Sequence, residues 1–180
     1  MSTLADTVRP LLRARQTREF TDEPVDTEAL EAVADAARWS GSSRNSQPWR
    51  FVIIVRRETL DTIAESSLPS TRSLSTAPAA VAIAMPAESG GGISLAYDEG
   101  RVAERMLVAA SMLGLGAGIT WVKPEARPAV ARLLGLPEDR FVRTVVAIGH
   151  PTPEALRSKS APGQARLPRE ETVFRERWPG

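Results

Sequence analysis

Four short apolar runs, separated by segments with helical periodicity, constrain the fold of this chain most. They are WRFVIIV (49–55), AAVAIAM (79–85), GLGAGITWV (114–122) and VRTVVAIG (142–149). Runs of this length that are rich in β-branched residues are typical of buried strands. Strands that alternate with helices predict one central sheet, in a domain of the α/β or α+β class.

The segments between these runs carry apolar residues at helical spacing. They predict helices over about 3–15, 58–66, 95–113 and 124–134. A further helix is predicted to begin at a cap, Asp26 or Thr27, and to run to about Trp39. After the last run the chain becomes rich in Pro and Arg, which predicts an extended tail. A length of 180 residues suits one domain, 1–180, better than two.

Composition excludes several kinds of chemistry. The chain has no cysteine and one histidine, so it cannot form a disulfide framework, a thiolate nucleophile, an iron–sulfur cluster or a histidine-cluster metal site. A net charge of +1 gives no electrostatic case for nucleic acid or an anionic membrane. No apolar run approaches the ~20 residues that span a bilayer, and residues 1–16 lack a signal-peptide core. We expect a cytoplasmic protein whose redox or group-transfer chemistry, if any, comes from an organic cofactor.

Arginines cluster at the end of the first predicted helix, in RARQTREF (13–20). Arg13, Arg15 and Arg18 carry guanidinium groups, which bind phosphate oxygens in a bidentate manner. Arg15 and Arg18 would share one helical face, whereas Arg13 and Arg15 would not. A solvated helix end with no ligand is the alternative interpretation. Arg166, in the tail, is a further isolated candidate.

The loop SGSSRNSQPW (40–49) contains no conventional acid, base or nucleophile. Ser42, Ser43 and Asn45 offer hydrogen-bonding groups that suit the edge of a heteroaromatic ring or a phosphate. A polar connection that brings Trp49 into the core is the alternative. The stretch GLGAG (114–118) follows a helix and precedes a strand, the reverse of a Rossmann phosphate loop, and therefore does not predict a dinucleotide site.

Taken together, in this order and at this spacing, these segments resemble the FMN-dependent nitroreductase family over nearly the whole chain. The family's Arg-Arg-Ser-x-Arg-x-Phe start is matched by residues 14–20, with Ala14 in place of the first Arg and Gln16 in place of the Ser. Its Pro-Ser-x-x-Asn-x-Gln-Pro-Trp loop is matched by residues 41–49. Further matches are Gly114-Leu115-Gly116, Gly149-His150-Pro151 and the tail arginine, Arg166.

The resemblance implies a set of cofactor-binding residues. They are Arg13, Arg15, Gln16, Arg18, Gly41, Ser42, Ser43, Asn45, Arg72, Gly118, Ile119, Thr120 and Arg166. Arg15 and Arg166 would bind the FMN phosphate, and Arg13 would replace the arginine that Ala14 lacks. Arg18 would lie at the pyrimidine edge of the flavin and stabilise its anionic reduced form. The loop 41–45 would contact the flavin from the partner subunit.

The resemblance also implies a fold and an activity. The fold is α+β, with a central mixed sheet flanked by helices and a tail that wraps the partner of a homodimer. The activity is hydride transfer from NAD(P)H through flavin N5 to nitroaromatic, quinone or similar acceptors by a ping-pong mechanism, with no obligatory catalytic side chain and no metal. The alternatives are dehalogenation, ene reduction, flavin fragmentation or a non-catalytic ligand-binding protein. Substrate lids are expected in 66–76 and 86–100, with Tyr97 lining the pocket.

Overall fold

The computed structural model of the protein describes residues 4–87, 92–157 and 166–178. The helices are α1 (Leu4–Arg13), α2 (Thr27–Arg38), α3 (Arg57–Ser66), α4 (Gly92–Met112), α5 (Arg127–Leu133) and α6 (Pro153–Leu156). The strands are β1 (Arg50–Ile54), β2 (Ala79–Pro86), β3 (Gly116–Trp121) and β4 (Arg140–Gly149). Each predicted strand is therefore present.

The four strands form one sheet in the order β1-β2-β4-β3, and every neighbouring pair is antiparallel. The parallel contact expected of a mixed sheet is confined to a bridge between Gln16 and Ala117, on the outer edge of β3. Between β2 and β4 the register shifts, because Ile83 pairs with Thr144 while Ala84 pairs with Val142. Arg143 is thus an extra residue, a β-bulge, in β4.

Helices cover both faces of the sheet, which explains why the strands are apolar throughout rather than alternating. On one face, α2 and α4 pack on side chains such as Val81, Ile83 and Ile148. On the other, α3 and α5 pack on the alternate residues, such as Ala82 and Val145. Among the described residues, no helix has the length and apolarity needed to cross a bilayer.

The observed helix bounds confirm the helices predicted from periodicity, except at the end of the first helix. Asp26 caps α2, since its carboxylate accepts a hydrogen bond from the Glu28 amide at 2.9 Å. The prediction of a first helix to residue 15 was wrong, because α1 ends at Arg13. Arg15 and Arg18 therefore do not share a helical face. The segment after Arg13 is extended because it bonds to β3, a non-local contact that periodicity does not report.

Candidate functional site

The extended segment after α1 lies along the outer edge of β3. The Thr17 amide donates to the Ala117 carbonyl at 2.8 Å. The Gln16 side chain bonds to both backbone groups of Ile119: its Oε1 accepts from the amide at 3.0 Å and its Nε2 donates to the carbonyl at 2.6 Å. These bonds fix the position of residues 16 and 17 and leave the neighbouring arginines exposed on either side.

Two glycines of β3 allow this close approach. A Cβ atom on Gly118 would lie 2.0 Å from the Thr17 carbonyl oxygen, and one on Gly116 would lie 2.8 Å from Thr17 Oγ1. Any side chain at Gly118 would therefore push the segment away from the strand. Gly118 was predicted to be a cofactor-binding residue, and the structure places it, buried, beneath the main chain of Thr17.

Arg18 and Arg72 lie on segments that are joined by a hydrogen bond. The Phe20 amide, two residues beyond Arg18, donates to Thr76 Oγ1 at 3.3 Å. Thr76 directly follows the 3₁₀ turn Arg72–Ser75. The Trp121 amide donates to Ser70 O at 3.4 Å, which brings the same turn to the end of β3.

The side chains of these arginines are exposed, as a charged ligand site requires. Arg15 Nη2 lies 3.5 Å from the Leu156 carbonyl, at the end of α6, where the chain turns into the tail. Arg13 and Arg166 are also exposed. The arginines of residues 13–18 thus lie along one margin of the molecule, at the outer edge of β3, with Arg15 near the end of α6.

Two predicted side chains are already engaged within the fold. The Thr120 hydroxyl is buried and donates to the Val145 carbonyl at 2.7 Å. Both functional ends of the Gln16 amide bond to Ile119. The Thr120 hydroxyl hydrogen is therefore taken, whereas the Gln16 side chain retains its second Nε2 hydrogen and the second lone pair of Oε1 for a ligand.

The predicted ring-binding loop has an unusual backbone. Arg44, Asn45 and Gln47 have φ values of 52°, 54° and 46°, in the left-handed region that residues other than glycine seldom adopt. The Gln47 amide donates to Ser42 Oγ at 2.9 Å, closing the loop on itself. Such conformations persist where surrounding contacts enforce them, and they cluster at functional sites.

Charged residues of α4 supply the enforcing contacts. Asp98 accepts the Ser43 amide hydrogen bond, with N···O distances of 3.2 and 3.0 Å to its two oxygens. Arg101 Nη1 donates to the Gly41 carbonyl at 2.7 Å. Ser43 can therefore offer a ligand its hydroxyl, since its amide is taken. Sequence reasoning missed Asp98 and Arg101 because charged residues on a helix normally predict a solvent-facing stripe.

In one copy of the chain, the two parts of the candidate site bond to different elements. Hydrogen bonds from residues 15–20 run to β3, α6 and Thr76, whereas those of residues 41–45 run to α4 and within the loop. The resemblance implies that the loop serves the partner's site, and this separation is compatible with that prediction.

An open apolar groove of about 560 Å³ runs between α1, α2 and α4. Trp39, Leu11 and Met112 line it and are 70 %, 55 % and 72 % exposed. Large apolar side chains gathered on one face of a soluble protein mark an interaction surface.

The predicted lids correspond largely to ordered structure. Residues 66–76 contain the end of α3 and the turn Arg72–Ser75, with Thr71 and Leu74 fully buried. This segment is therefore anchored to the core by four buried residues, Ser67, Thr71, Ser73 and Leu74, while the residues between them are exposed. In the second segment residues 88–91 lie outside the described residues, and α4 begins at Gly92. Tyr97, on the first turns of α4, is 72 % exposed.

A four-stranded antiparallel sheet with helices on both faces defines a protein of the α+β class. Its fold is that of solved nitroreductases. It superposes with a TM-score of 0.78 on a protein of Parabacteroides distasonis with the provisional name NADH dehydrogenase/NAD(P)H nitroreductase, at 26 % identity over 96 % of this chain and 98 % of that one. It also superposes with a TM-score of 0.78 on an FMN-dependent nitroreductase of Clostridium difficile R20291, at 22 % identity over 94 % of this chain and 98 % of that one.

Sequence comparisons agree with the fold. The nitroreductase family model matches residues 11–84, which include the arginine segment and the loop. A protein of Archaeoglobus fulgidus with the same provisional name is 29 % identical over 154 residues, covering 84 % of this chain and 88 % of that protein. The chain is therefore similar to the nitroreductase family in sequence as well as in fold.

Proposed function

We propose that this protein is an NAD(P)H-dependent oxidoreductase that uses FMN. The observation that carries the proposal is the set of exposed guanidinium groups at Arg15, Arg18 and Arg72, on segments held around one strand edge by hydrogen bonds. Guanidinium groups match phosphate oxygens and the polar edge of a flavin, so the donor chemistry fits this cofactor. The names of the fold neighbours, one of which is FMN-dependent, support the same cofactor.

The residues would divide the work of binding. Arg15, with Arg13 and Arg166, would hold the phosphate, while Arg18 and Arg72 would face the ring. When bound, FMN accepts a hydride from a nicotinamide and passes electrons to a second substrate. A fixed positive charge from Arg18 would stabilise negative charge on the reduced ring, since electrostatic complementarity is strong in a water-poor site. No protein acid or base is then obligatory.

We infer that the working unit is a homodimer with the cofactor at the interface. The apolar groove between α1, α2 and α4 offers a surface that a second copy would cover. The loop 41–45 would then complete the partner's site, because in its own chain it bonds to α4 rather than to the arginine margin. The tail, with Phe174 stacked edge-on against Trp178 at 4.7 Å, would pack on the partner.

The acceptor would be a flat, electron-poor molecule such as a nitroaromatic or a quinone, reduced in a ping-pong cycle. A non-catalytic flavin-binding protein is the second candidate. It is favoured by Ala14, which removes one phosphate ligand of the family, and by the engagement of the Gln16 amide with Ile119.

The deciding experiment is an absorbance spectrum after incubation with excess FMN and desalting, followed by anaerobic NADH or NADPH. We expect a retained flavin band that bleaches. A band that stays oxidised supports the non-catalytic candidate, and no retained band contradicts the FMN proposal.

Substitution of the phosphate ligands tests the assignment of the site. We expect Arg15→Ala with Arg166→Ala to weaken FMN binding at least tenfold without changing the far-ultraviolet circular dichroism, because each charge-assisted hydrogen bond contributes about 1.5–3 kcal/mol. Arg132→Ala, at an exposed arginine of α5, is the matched control. A double variant that keeps the parent affinity would show that the phosphate lies elsewhere.

A further inference from the structure

Three charged residues of α4 hold the main chain that leads into the candidate flavin loop. Arg105 Nη1 donates to the Trp39 carbonyl at 2.8 Å and Arg101 Nη1 to the Gly41 carbonyl at 2.7 Å, while Asp98 accepts from the Ser43 amide. Positions 98, 101 and 105 lie on one helical face. They bind alternate residues of the connection, so the helix fixes both the path and the rotation of its backbone.

Asp98 is the buried member of this set. Its side chain is 3 % exposed, and its nearest cation, Arg101 Nη1, lies 3.7 Å from Oδ1. Burying a carboxylate is costly unless hydrogen bonds and a counter-charge offset the lost hydration. Within the described part of the chain, both of its oxygens accept from one backbone amide, that of Ser43, so the negative charge serves to hold a single point of the loop.

That point is where the strained part of the loop begins. Ser43 opens the 3₁₀ turn Ser43–Asn45, and the left-handed residues Arg44, Asn45 and Gln47 follow within four positions. Such conformations are disfavoured for residues other than glycine, so without an anchor the segment would relax to commoner backbone angles. The polar groups of Ser42 and Asn45 would then move away from their present positions.

We propose that Asp98 is a positioning residue of the flavin site. It touches no cofactor, and it acts through Ser43 by holding the loop in the geometry that presents Ser42 and Asn45 to the ring. The inference rests on the proposed function. It adds a residue on α4, outside the binding motifs, that sets the affinity and the environment of the cofactor.

The test compares variants that break the same contact from its two ends. Asp98→Ala removes the acceptor, and Asp98→Asn keeps the shape with one acceptor oxygen. Ser43→Pro removes the donor at the first position of the turn, where proline is accepted in helices. Ser43→Ala keeps the donor and removes only the hydroxyl. Asp35→Asn, which breaks the exposed pair with Arg38 on α2, is the control for loss of an ion pair.

Four properties are measured for each variant: the FMN dissociation constant by fluorescence quenching, the visible circular dichroism of bound FMN, the mass in solution and the midpoint of thermal unfolding. We expect Asp98→Ala and Ser43→Pro to raise the dissociation constant about 10- to 100-fold, the range of a hydrogen bond to a charged group. The FMN dissociation constant of Asp98→Asn should lie between those of these variants and that of the parent, and the visible circular dichroism of its bound flavin should be altered.

The double variant Asp98→Ala/Ser43→Pro separates positioning from general damage. Both changes remove one contact, so their effects on FMN affinity should not add. The inference is overturned if Asp98→Ala binds FMN with an affinity within twofold of the parent's, or if the losses of FMN affinity in the two single variants add. It is also overturned if the variants that lose FMN affinity no longer have the parent's mass in solution. If the parent binds no FMN at all, the proposed function itself is overturned. If the parent binds FMN and the variants bind it equally well, only the inference about Asp98 is overturned.

Discussion

Gly118 has no room for a side chain. Its Cα faces the Thr17 carbonyl oxygen, and an added methyl group would lie 2.0 Å from that atom. The contact is between two main chains, neither of which can rotate away as a long side chain would. The position of Arg18 therefore depends on a residue that carries no functional group.

Gly118→Ala is expected to lower the free energy of unfolding by about 3 kcal/mol, the upper part of the usual range for overpacking, and to weaken FMN binding. Urea unfolding at fixed protein concentration measures the first effect. Gly100→Ala, on an exposed turn of α4 with open space around it, should raise the free energy of unfolding by about 0.5–1 kcal/mol. Equal effects of the two substitutions would contradict this account.

At the scale of elements, the bulge in β4 joins the sheet to α4. Arg143, the extra residue, donates through Nε and Nη2 to Oε2 of Glu99, with Nε at 2.9 Å. Its guanidinium also lies 5.6 Å from the Trp121 ring centroid and 5.8 Å from that of Phe141. The side chains of Glu99 and Arg143 are 3 % and 14 % exposed, so the pair is desolvated.

Breaking this pair from one side should be costly. Glu99→Gln or Arg143→Met alone is expected to lower the free energy of unfolding by about 3 kcal/mol, because the remaining charge stays buried. The double variant Glu99→Leu/Arg143→Met should recover most of that loss. Glu154→Gln, which breaks an exposed pair with Arg157, should change stability by less than about 1 kcal/mol. A double variant as unstable as the two singles added together would contradict the pairing.

The elements that sequence predicted well are those defined by local pattern. The apolar run 79–85 became β2 almost residue for residue, and Asp26 capped α2 as expected. Contacts between residues far apart in the sequence could not be predicted. One example is the hydrogen bond from Thr17 to Ala117, which accompanies the early end of α1. An arginine within the apolar run 142–149 was a signal for the buried pair, but its partner on α4 could not be identified from spacing.

At the scale of the whole molecule, α4 serves two purposes. One side carries Asp98 and Arg101, which hold the loop, and its later turns line the apolar groove with Val108 and Met112. If a second copy covers that groove, dimerisation and cofactor binding share one rigid helix. Each should then stabilise the other by the same factor, as thermodynamic linkage requires.

Met112→Lys is expected to raise the dimer dissociation constant at least tenfold, because it would bury an ammonium group in a groove that already holds Arg105. Sedimentation equilibrium measures the change, and added FMN should partly reverse it. Leu133→Lys, on α5 and away from the groove, should leave the dimer unchanged. A monomeric parent would contradict the prediction.

The Gln16 side chain pairs with the outer edge of the sheet, at β3. Its side-chain amide binds the amide and carbonyl of Ile119 in the way that the main chain of a neighbouring strand would. An open strand edge is a template on which foreign strands can grow into aggregates. Together with the bond from the Thr17 amide to the Ala117 carbonyl, the Gln16 side chain therefore occupies main-chain groups on the border of β3 that a foreign strand would otherwise pair with.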